Sequence, residues 1–254
     1  MSFPIGPFRR FGGKPGGAVL PSRLPLLFSH LEEYYDSRTP VLVNGANVTS
    51  WADLSGNSRT MIDPGGGVTL PTMLTAGSPK STNLIRFSGA GGGSVALTTG
   101  TFTLPVATRG FTYYAYGDWR SSAPGSGEIW TTSAFNSTPR ELLFRTNTGL
   151  MGWRDNGGFH LPVAPSFGVH QYAFVFNPPG NGTGIVQVYK DAVLIATDTW
   201  QVNGVANDTT LLGNTVNFNV GLNADLGHFV WYSDVHTATQ VALFKIWASI
   251  YWGF

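Results

Sequence analysis

Three tryptophans of this 254-residue chain, Trp119, Trp130 and Trp153, lie near loop-like stretches and have polar neighbours along the sequence. Asp118 and Arg120 flank the first; Arg154, Asp155 and Asn156 follow the last. An aromatic face laid on a pyranose ring, with carboxylate, amide and guanidinium groups taking the hydroxyls, is the chemistry of saccharide recognition. Trp119, Trp130 and Trp153 are therefore the candidate stacking platforms, with Asp155 and Asn156 as candidate polar contacts. Two of the three indoles are expected in the core, because eight tryptophans must be placed and large rings dominate interiors.

Other chemistries find less in the sequence. His30, His160, His170, His228 and His236 are scattered, with neither an HExxH segment nor a paired ligand spacing, so a zinc site is not expected. No G-x-S-x-G elbow is present, and Gly125-Ser126-Gly127 sits in a Pro/Gly loop. The run Gly89-Ala90-Gly91-Gly92-Gly93-Ser94 has no lysine at the phosphate-binding position after it and reads as a hairpin loop.

Composition narrows the class further. A chain that is 42% hydrophobic can bury a substantial core, and all-β domains of this length are commonly single. Charged residues make up only 11%, and the net charge is +1, so no basic field marks a nucleic-acid partner. A surface so poor in charge suits a subunit partly covered by neighbours. Without cysteine there is no disulfide or thiolate chemistry. No apolar run at the N-terminus has the form of a signal peptide, and no segment is long enough to span a membrane. Assembly inside a cell is the expectation.

Residues 1–25 alternate proline and glycine at a density that blocks helix and ladder alike, and read as an extended arm. That arm nevertheless carries Phe3, Phe8 and Phe11 beside Arg9-Arg10, a set suited to ordering against another subunit. Residues 26–254 read as the β domain. Leu26 to Tyr35, with Glu32-Glu33, reads as one or two helical turns. Trp51 is expected in the core, with Asp53, Ser55 and Asn57 bonding a tight turn. Phe111–Trp119 and Gln171–Asn177 are the strongest central strands, apolar on both faces. Shorter strands follow at 128–133, 141–145, 150–154, 185–189 and 193–199. The end of the chain is the most patterned stretch. Strands are expected at Val216–Gly221 and Leu226–Tyr232, with Asn223-Ala224-Asp225 as the turn between them. Thr237 with Gln240 forms a capping box, Val241, Phe244, Ile246-Trp247 and Ile250-Tyr251 give one apolar stripe, and Gly253 ends the helix.

Three blocks in order resemble the concanavalin A-like jelly rolls, in their laminin-G-like subgroup: Val48–Asn57 around Trp51-Ala52-Asp53, Val186–Leu194, and the strand–Tyr232-Ser233-Asp234–helix–Tyr251-Trp252-Gly253 ending. Ala192 stands where that subgroup usually has glycine in its hairpin, which implies a turn of another type. The resemblance implies an all-β jelly-roll β-sandwich with an extended N-terminal arm and one C-terminal helix. Glucanases on such folds use closely alternating carboxylates; Glu32, Glu33, Glu128 and Glu141 form no such pattern, so no enzyme is expected. Some relatives bind calcium at the sandwich edge, but no acidic ligand set maps onto this sequence, and no cofactor is expected. Fold alone does not give function.

Two functions fit. One is a non-enzymatic structural subunit of a virus or phage virion, a capsid decoration, fibre or tail protein assembled in the host cytoplasm. Its arm residues Phe3, Phe8, Arg9, Arg10 and Phe11 would anchor it to neighbouring subunits, in a homo-oligomer. The other is a carbohydrate-binding, lectin-like module using Trp119, Trp130 or Trp153.

Overall fold

The computed structural model describes residues 21–39, 41–75, 83–88, 95–100, 102–103, 110–120, 126–132, 140–145, 150–155, 158–164, 166–177, 183–201, 207–208, 210–213 and 222–253. After a 3-10 segment, Pro21–Leu27, come β1 (Leu31–Asp36), β2 (Val41–Asn44), β3 (Asn47–Trp51), β4 (Met61–Ile62), β5 (Thr72–Leu74) and β6 (Leu84–Ser88). The chain continues through β7 (Leu97–Thr98), β8 (Phe102–Thr103), β9 (Phe111–Trp119), β10 (Ser126–Thr132), β11 (Arg140–Arg145), β12 (Leu150–Asp155) and β13 (Gly158–Val163). The last strands are β14 (Gly168–Phe176), β15 (Thr183–Lys190), β16 (Val193–Gln201), β17 (Asn207–Asp208), β18 (Thr210–Leu212) and β19 (Asn223–Tyr232), before helix α1 (Ala238–Trp252).

These strands make an all-β sandwich with one C-terminal helix. One layer runs β16–β15–β14–β9–β19, all antiparallel. Beyond β19 its edge is shared by β1, opposite His228 to Tyr232, and β6, opposite Asn223 to Leu226. The other layer runs β13–β12–β11–β10–β18–β7. Strand β3 is the corner: β2 runs along one edge, and the other is shared by β4, opposite Ser50 and Trp51, and by β5, through Asn47 and Thr72. Alternation decides what goes where, since successive side chains on a strand point to opposite faces. Tyr113, Ala115, Phe174, Phe176, Phe229 and Trp231 point between the layers. Tyr114, Tyr116, Val175, Val230 and Tyr232 point the other way and are covered by Val241, Phe244, Trp247 and Trp252 of α1. Both faces of β9, β14 and β19 are thereby buried, as their double-sided apolar patterns require.

The helix has the expected ends. Thr237 and Gln240 exchange the capping-box bonds, and Gly253 closes it at φ +81°. Its stripe differs from the expectation: Val241, Phe244, Trp247, Ala248 and Trp252 are buried, whereas Leu243, Ile246 and Ile250 are exposed. The helix is apolar all round, so counting apolar residues alone does not identify its inner face. Its C-terminal end is clamped to β1 by Arg38, which donates to Tyr251 O at 3.0 Å and ion-pairs with Asp36, while Tyr251 Oη donates to Asp36 Oδ2 at 2.7 Å.

Four further differences arise from long-range partners. Residues 21–25 belong to the 3-10 segment rather than to an extended arm. Glu32-Glu33 lie on a strand, because β1 is recruited by β19. Asn223-Ala224-Asp225 open β19 instead of forming a turn, since Asp225 is held by Arg86 at 2.9 and 3.0 Å and by Arg120. The β15–β16 turn keeps the primed geometry although alanine replaces glycine, with Asp191 at φ +49° and Ala192 at φ +67°. The segments 216–221 and 89–94 lie outside the described residues.

Glu33 is the unusual group of the interior. It points between the layers, is fully buried, and its Oε1 accepts from Thr210 Oγ1 at 2.8 Å, tying β1 to β18. Its Oε2 has no hydrogen-bond partner among the described residues. Burial pushes its carboxyl from 4.5 up to about 8, with the Thr210 bond acting in the opposite direction. A folded-state value above the unfolded one means that stability is full below pH 4.5 and is lost as pH rises through 8. His228 and His236 act in the opposite sense. Burial lowers both, so they cost stability only as pH falls below their ordinary value of 6.5. Melting temperature is therefore expected to fall between pH 7 and pH 9, and Glu33→Gln to flatten that fall. Parallel slopes for parent and variant in a thermal-melt series would show that Glu33 is not the titrating group.

Candidate functional site

An aromatic platform must be exposed to be used. Among the described aromatic side chains only Phe167 is exposed, at 50%; Phe28 and Tyr251 are partly covered and the rest are buried. Phe167 lies in the connection that turns from β13 into β14, and Gly168 after it takes a positive φ of +103°, a conformation that glycine adopts without strain. Its backbone is fixed on one side by Ser166. Ser166 N donates to Tyr172 Oη at 3.1 Å, and Tyr172 Oη donates back to Ser166 O at 3.3 Å. Tyr172 is buried against Trp119 in an edge-to-face contact, and burial pushes its hydroxyl up to about 12. That hydroxyl is a neutral, permanent clamp.

Polar groups surround this aromatic at the rim where β14 begins and β15 turns into β16. Lys190 stands opposite Tyr172 on the neighbouring strand, and its Nζ donates to Ser166 Oγ at 2.8 Å. His170 Nδ1 bonds Asp191 Oδ2 at 2.7 Å, and Asp191 Oδ1 accepts from Gln171 N at 3.0 Å. The carboxylate can only accept, so this bond is donated by His170 Nδ1. His170, Tyr172 and Lys190 lie on the face turned toward the sandwich interior, at its open end, because residues 172, 174, 186 and 188 of the same two strands point inward. The positive φ of Asp191 places its carboxylate back over Gln171, a role its short polar side chain suits.

The tryptophans serve the core instead. Trp119 is 1% exposed, and its indole N–H donates to His170 O at 3.0 Å beneath the rim. Trp153 is also 1% exposed and stacks on His160 at 5.4 Å. Neither presents a face to a ligand. Two of the three indoles thus lie in the core, as expected of the side chains that offer the most apolar area to bury. Trp130 and Asp155 fall on β10 and β12, but their side chains, together with Asn156, lie outside the described residues. So do the arm residues Phe3, Phe8, Arg9, Arg10 and Phe11. Asp118 lies across from Val169, on the outward face of the sheet, away from His170. Sequence reading passed over Phe167 because phenylalanine is common in this chain; the local signal was Gly168 directly after it, a residue suited to the connection between strands.

The remaining buried polar groups are structural. Asp53 accepts from Tyr34 N, Ser55 N, Ser55 Oγ and Arg59 N at 2.7–3.1 Å, and Asn57 bonds the carbonyls of Leu31 and Glu32, so the Trp51–Asn57 block holds a turn, as its sequence indicates. His228 Nδ1 accepts from Trp252 Nε1 at 2.9 Å, and His236 Nδ1 meets Tyr114 Oη at 2.8 Å, both under the helix. Among the described residues no three His, Asp or Glu side chains gather as ligands for a cation.

No protein-family model matches the sequence, and no curated protein does. Solved structures do resemble the fold. Trypanosoma rangeli sialidase in complex with 2,3-difluorosialic acid superposes with a TM-score of 0.58 at 12% identity, covering 88% of this chain and 33% of the sialidase. The chain thus spans about a third of the length of the sialidase structures it matches. Domain 4 of AbnA, a GH43 extracellular arabinanase from Geobacillus stearothermophilus, in complex with arabinotriose, gives 0.57 at 14% identity, covering 85% of this chain and 98% of that domain. The binding domain of Paraclostridial Mosquitocidal Protein 1 gives 0.54 at 12% identity, covering 88% of this chain and 55% of that one. At these identities the likeness defines a fold class, an all-β sandwich.

Asp191 organises the rim through a backbone bond, which a truncated side chain cannot replace. Asp191→Ala is expected to cost about 1–3 kcal/mol, because Gln171 N–H loses its acceptor, and Asp191→Asn less than about 1 kcal/mol, because the amide oxygen retains it. Urea denaturation of both variants checks this, and equal losses would rule out the backbone bond as the cause.

Proposed function

We propose that this chain is a non-catalytic carbohydrate-binding module that contacts its ligand at the rim built around Phe167. The observation that carries the reading is the exposure of this one aromatic among the described residues, beside oriented donors and acceptors on Ser166, His170 and Lys190. A flat apolar face with a few convergent polar groups is the general form of a saccharide site. The named neighbours support it: the sialidase and the arabinanase domain are in complex with sugars, the toxin segment is a binding domain, and domain 4 of the arabinanase matches this chain over nearly its whole length. Membership of the concanavalin A-like, laminin-G-like group is part of the same proposal, resting on the three sequence blocks and the sandwich.

Hydrolysis is not proposed. Glycosidic cleavage commonly needs two carboxyl groups on either side of the bond. Among the described residues the rim has one, Asp191, and both its oxygens are already engaged. The virion-subunit reading depends on residues 1–20, outside the described structure, and draws no support from the neighbours.

A glycan array probed with the full chain tests the proposal. Binding to at least one saccharide class is expected, and Phe167→Ala should weaken it at least tenfold, about 1.4 kcal/mol. Its melting temperature should stay close to the parent's, since half the ring is already in water. A silent array, or a variant that binds as well as the parent, would overturn the reading.

A further inference from the structure

We propose that the outer face of α1 is a docking surface for residues 1–20 of the same chain, with Ile5, Phe8 and Phe11 seated on Leu243 and Ile246. The proposal is independent of the rim. The inner face of the helix is spent on the core. On the outer face Thr239, Leu243, Ile246 and Ile250 follow one another at intervals of four, three and four residues, and all are exposed. The three large apolar ones are 46–63% exposed. A helix face turned to water ordinarily carries charge, yet Lys245 is the one charged residue in Ala238–Trp252. An apolar row at this spacing is the surface on which a partner's side chains seat.

Attachment and pattern choose the arm as the occupant. Residue 20 leads into the 3-10 segment Pro21–Leu27, which is docked beside the helix. Tyr232 Oη donates to Pro25 O at 2.8 Å, and Phe28 stacks on Phe244 at 6.3 Å and meets His236 at 5.0 Å. The 15-residue helix is about 22 Å long. Residues 12–21 can extend to about 33 Å, enough to bring the anchors to any point along it. Pro4 and Pro7 favour an extended chain with three residues per turn. In that conformation Ile5, Phe8 and Phe11 fall on one side, about 9 Å apart, and Arg9-Arg10 turn away. Leu243 and Ile250 are about 10.5 Å apart along the helix axis, so the two rows have comparable spacing. The helix of a second copy is the rival occupant, and area weighs against it. A strip about 22 Å long and about 10 Å wide offers about 220 Å², well under the roughly 800 Å² per partner of a stable complex. A segment tethered at Pro21 needs far less, because the tether holds it at millimolar effective concentration.

The chain has no cysteine, so a nitroxide can be placed at one introduced position, Arg10→Cys, in the full chain. NMR signals of isotope-enriched protein are compared with the nitroxide oxidised and reduced. The amides of Leu243, Ile246 and their neighbours on α1 are expected to lose about half or more of their intensity, because a tethered segment at millimolar effective concentration is docked in most chains. Phe8→Ser with Phe11→Ser in the arm, or Ile246→Ser on the helix, should restore those signals. Ile246 is 53% exposed, so its replacement leaves the core intact. Mixing nitroxide-bearing chains without enrichment with enriched chains without nitroxide should cause no loss. Full helix signal with the nitroxide oxidised, or a loss that survives Phe8→Ser with Phe11→Ser, would overturn the proposal. Loss in the mixture would overturn it in favour of another copy's arm, and a dimer that Ile246→Ser dissociates would overturn it in favour of helix pairing between copies.

Discussion

All ten residues of β19 are buried, and the architecture follows from satisfying that strand on four sides at once. Its two edges are occupied by β9 on one hand and by β1 and β6 on the other. Its inward side chains, Ala224, Leu226, Phe229 and Trp231, fill the space between the layers; its outward ones need a lid, and α1 supplies it. A bulge at Gly227 lets the strand change phase. A Cβ there would lie 2.7 Å from the Tyr116 ring and 3.0 Å from Trp252, so glycine is required for the helix to close down. Of its three buried polar residues, Asn223, Asp225 and His228, the last two are held by bonds that offset their burial, Asp225 to two arginines and His228 Nδ1 to Trp252.

The rim depends on this framework at one remove. Strand β9 docks on β19 with one bulge at Gly227, and β14 docks on β9 and β15 on β14 in continuous register. His170, Tyr172 and Lys190 inherit their positions from that stack, and Phe167 inherits its own from Tyr172. The polar side of the rim is thus set on strands, where positions are better fixed than on free loops.

What the sequence made legible was what local chemistry decides. Thr237, Gln240 and Gly253 mark the helix ends because caps are bonded to residues a few positions away. The two-sided apolar runs of β9 and β14 announce burial without any knowledge of partners. What it concealed was decided at a distance. Glu33 reads as helical until Thr210 is brought across the sandwich to meet it, and Asn223 to Asp225 read as a turn until Arg86 and Arg120 arrive. Ala192 reads as a turn residue of another kind until the β15–β16 ladder imposes the positive φ. The site suffered most, because the size that makes tryptophan attractive as a platform also draws it inward, leaving the smaller Phe167 at the surface.

The order of β1 and β19 in the chain has a consequence for how the protein comes to be folded. Leu31 pairs with Tyr232, so strands from opposite ends of the described sequence meet in one layer. Such pairing is slow, since a very large loop must close before any contact rewards it. During synthesis the edges of β1, β6 and β9 wait unpaired until β19 emerges, and unpaired edges invite association with other chains. The burial of Asp225 and His228 is accordingly a late step, which waits for β19 to meet β1, β6 and β9.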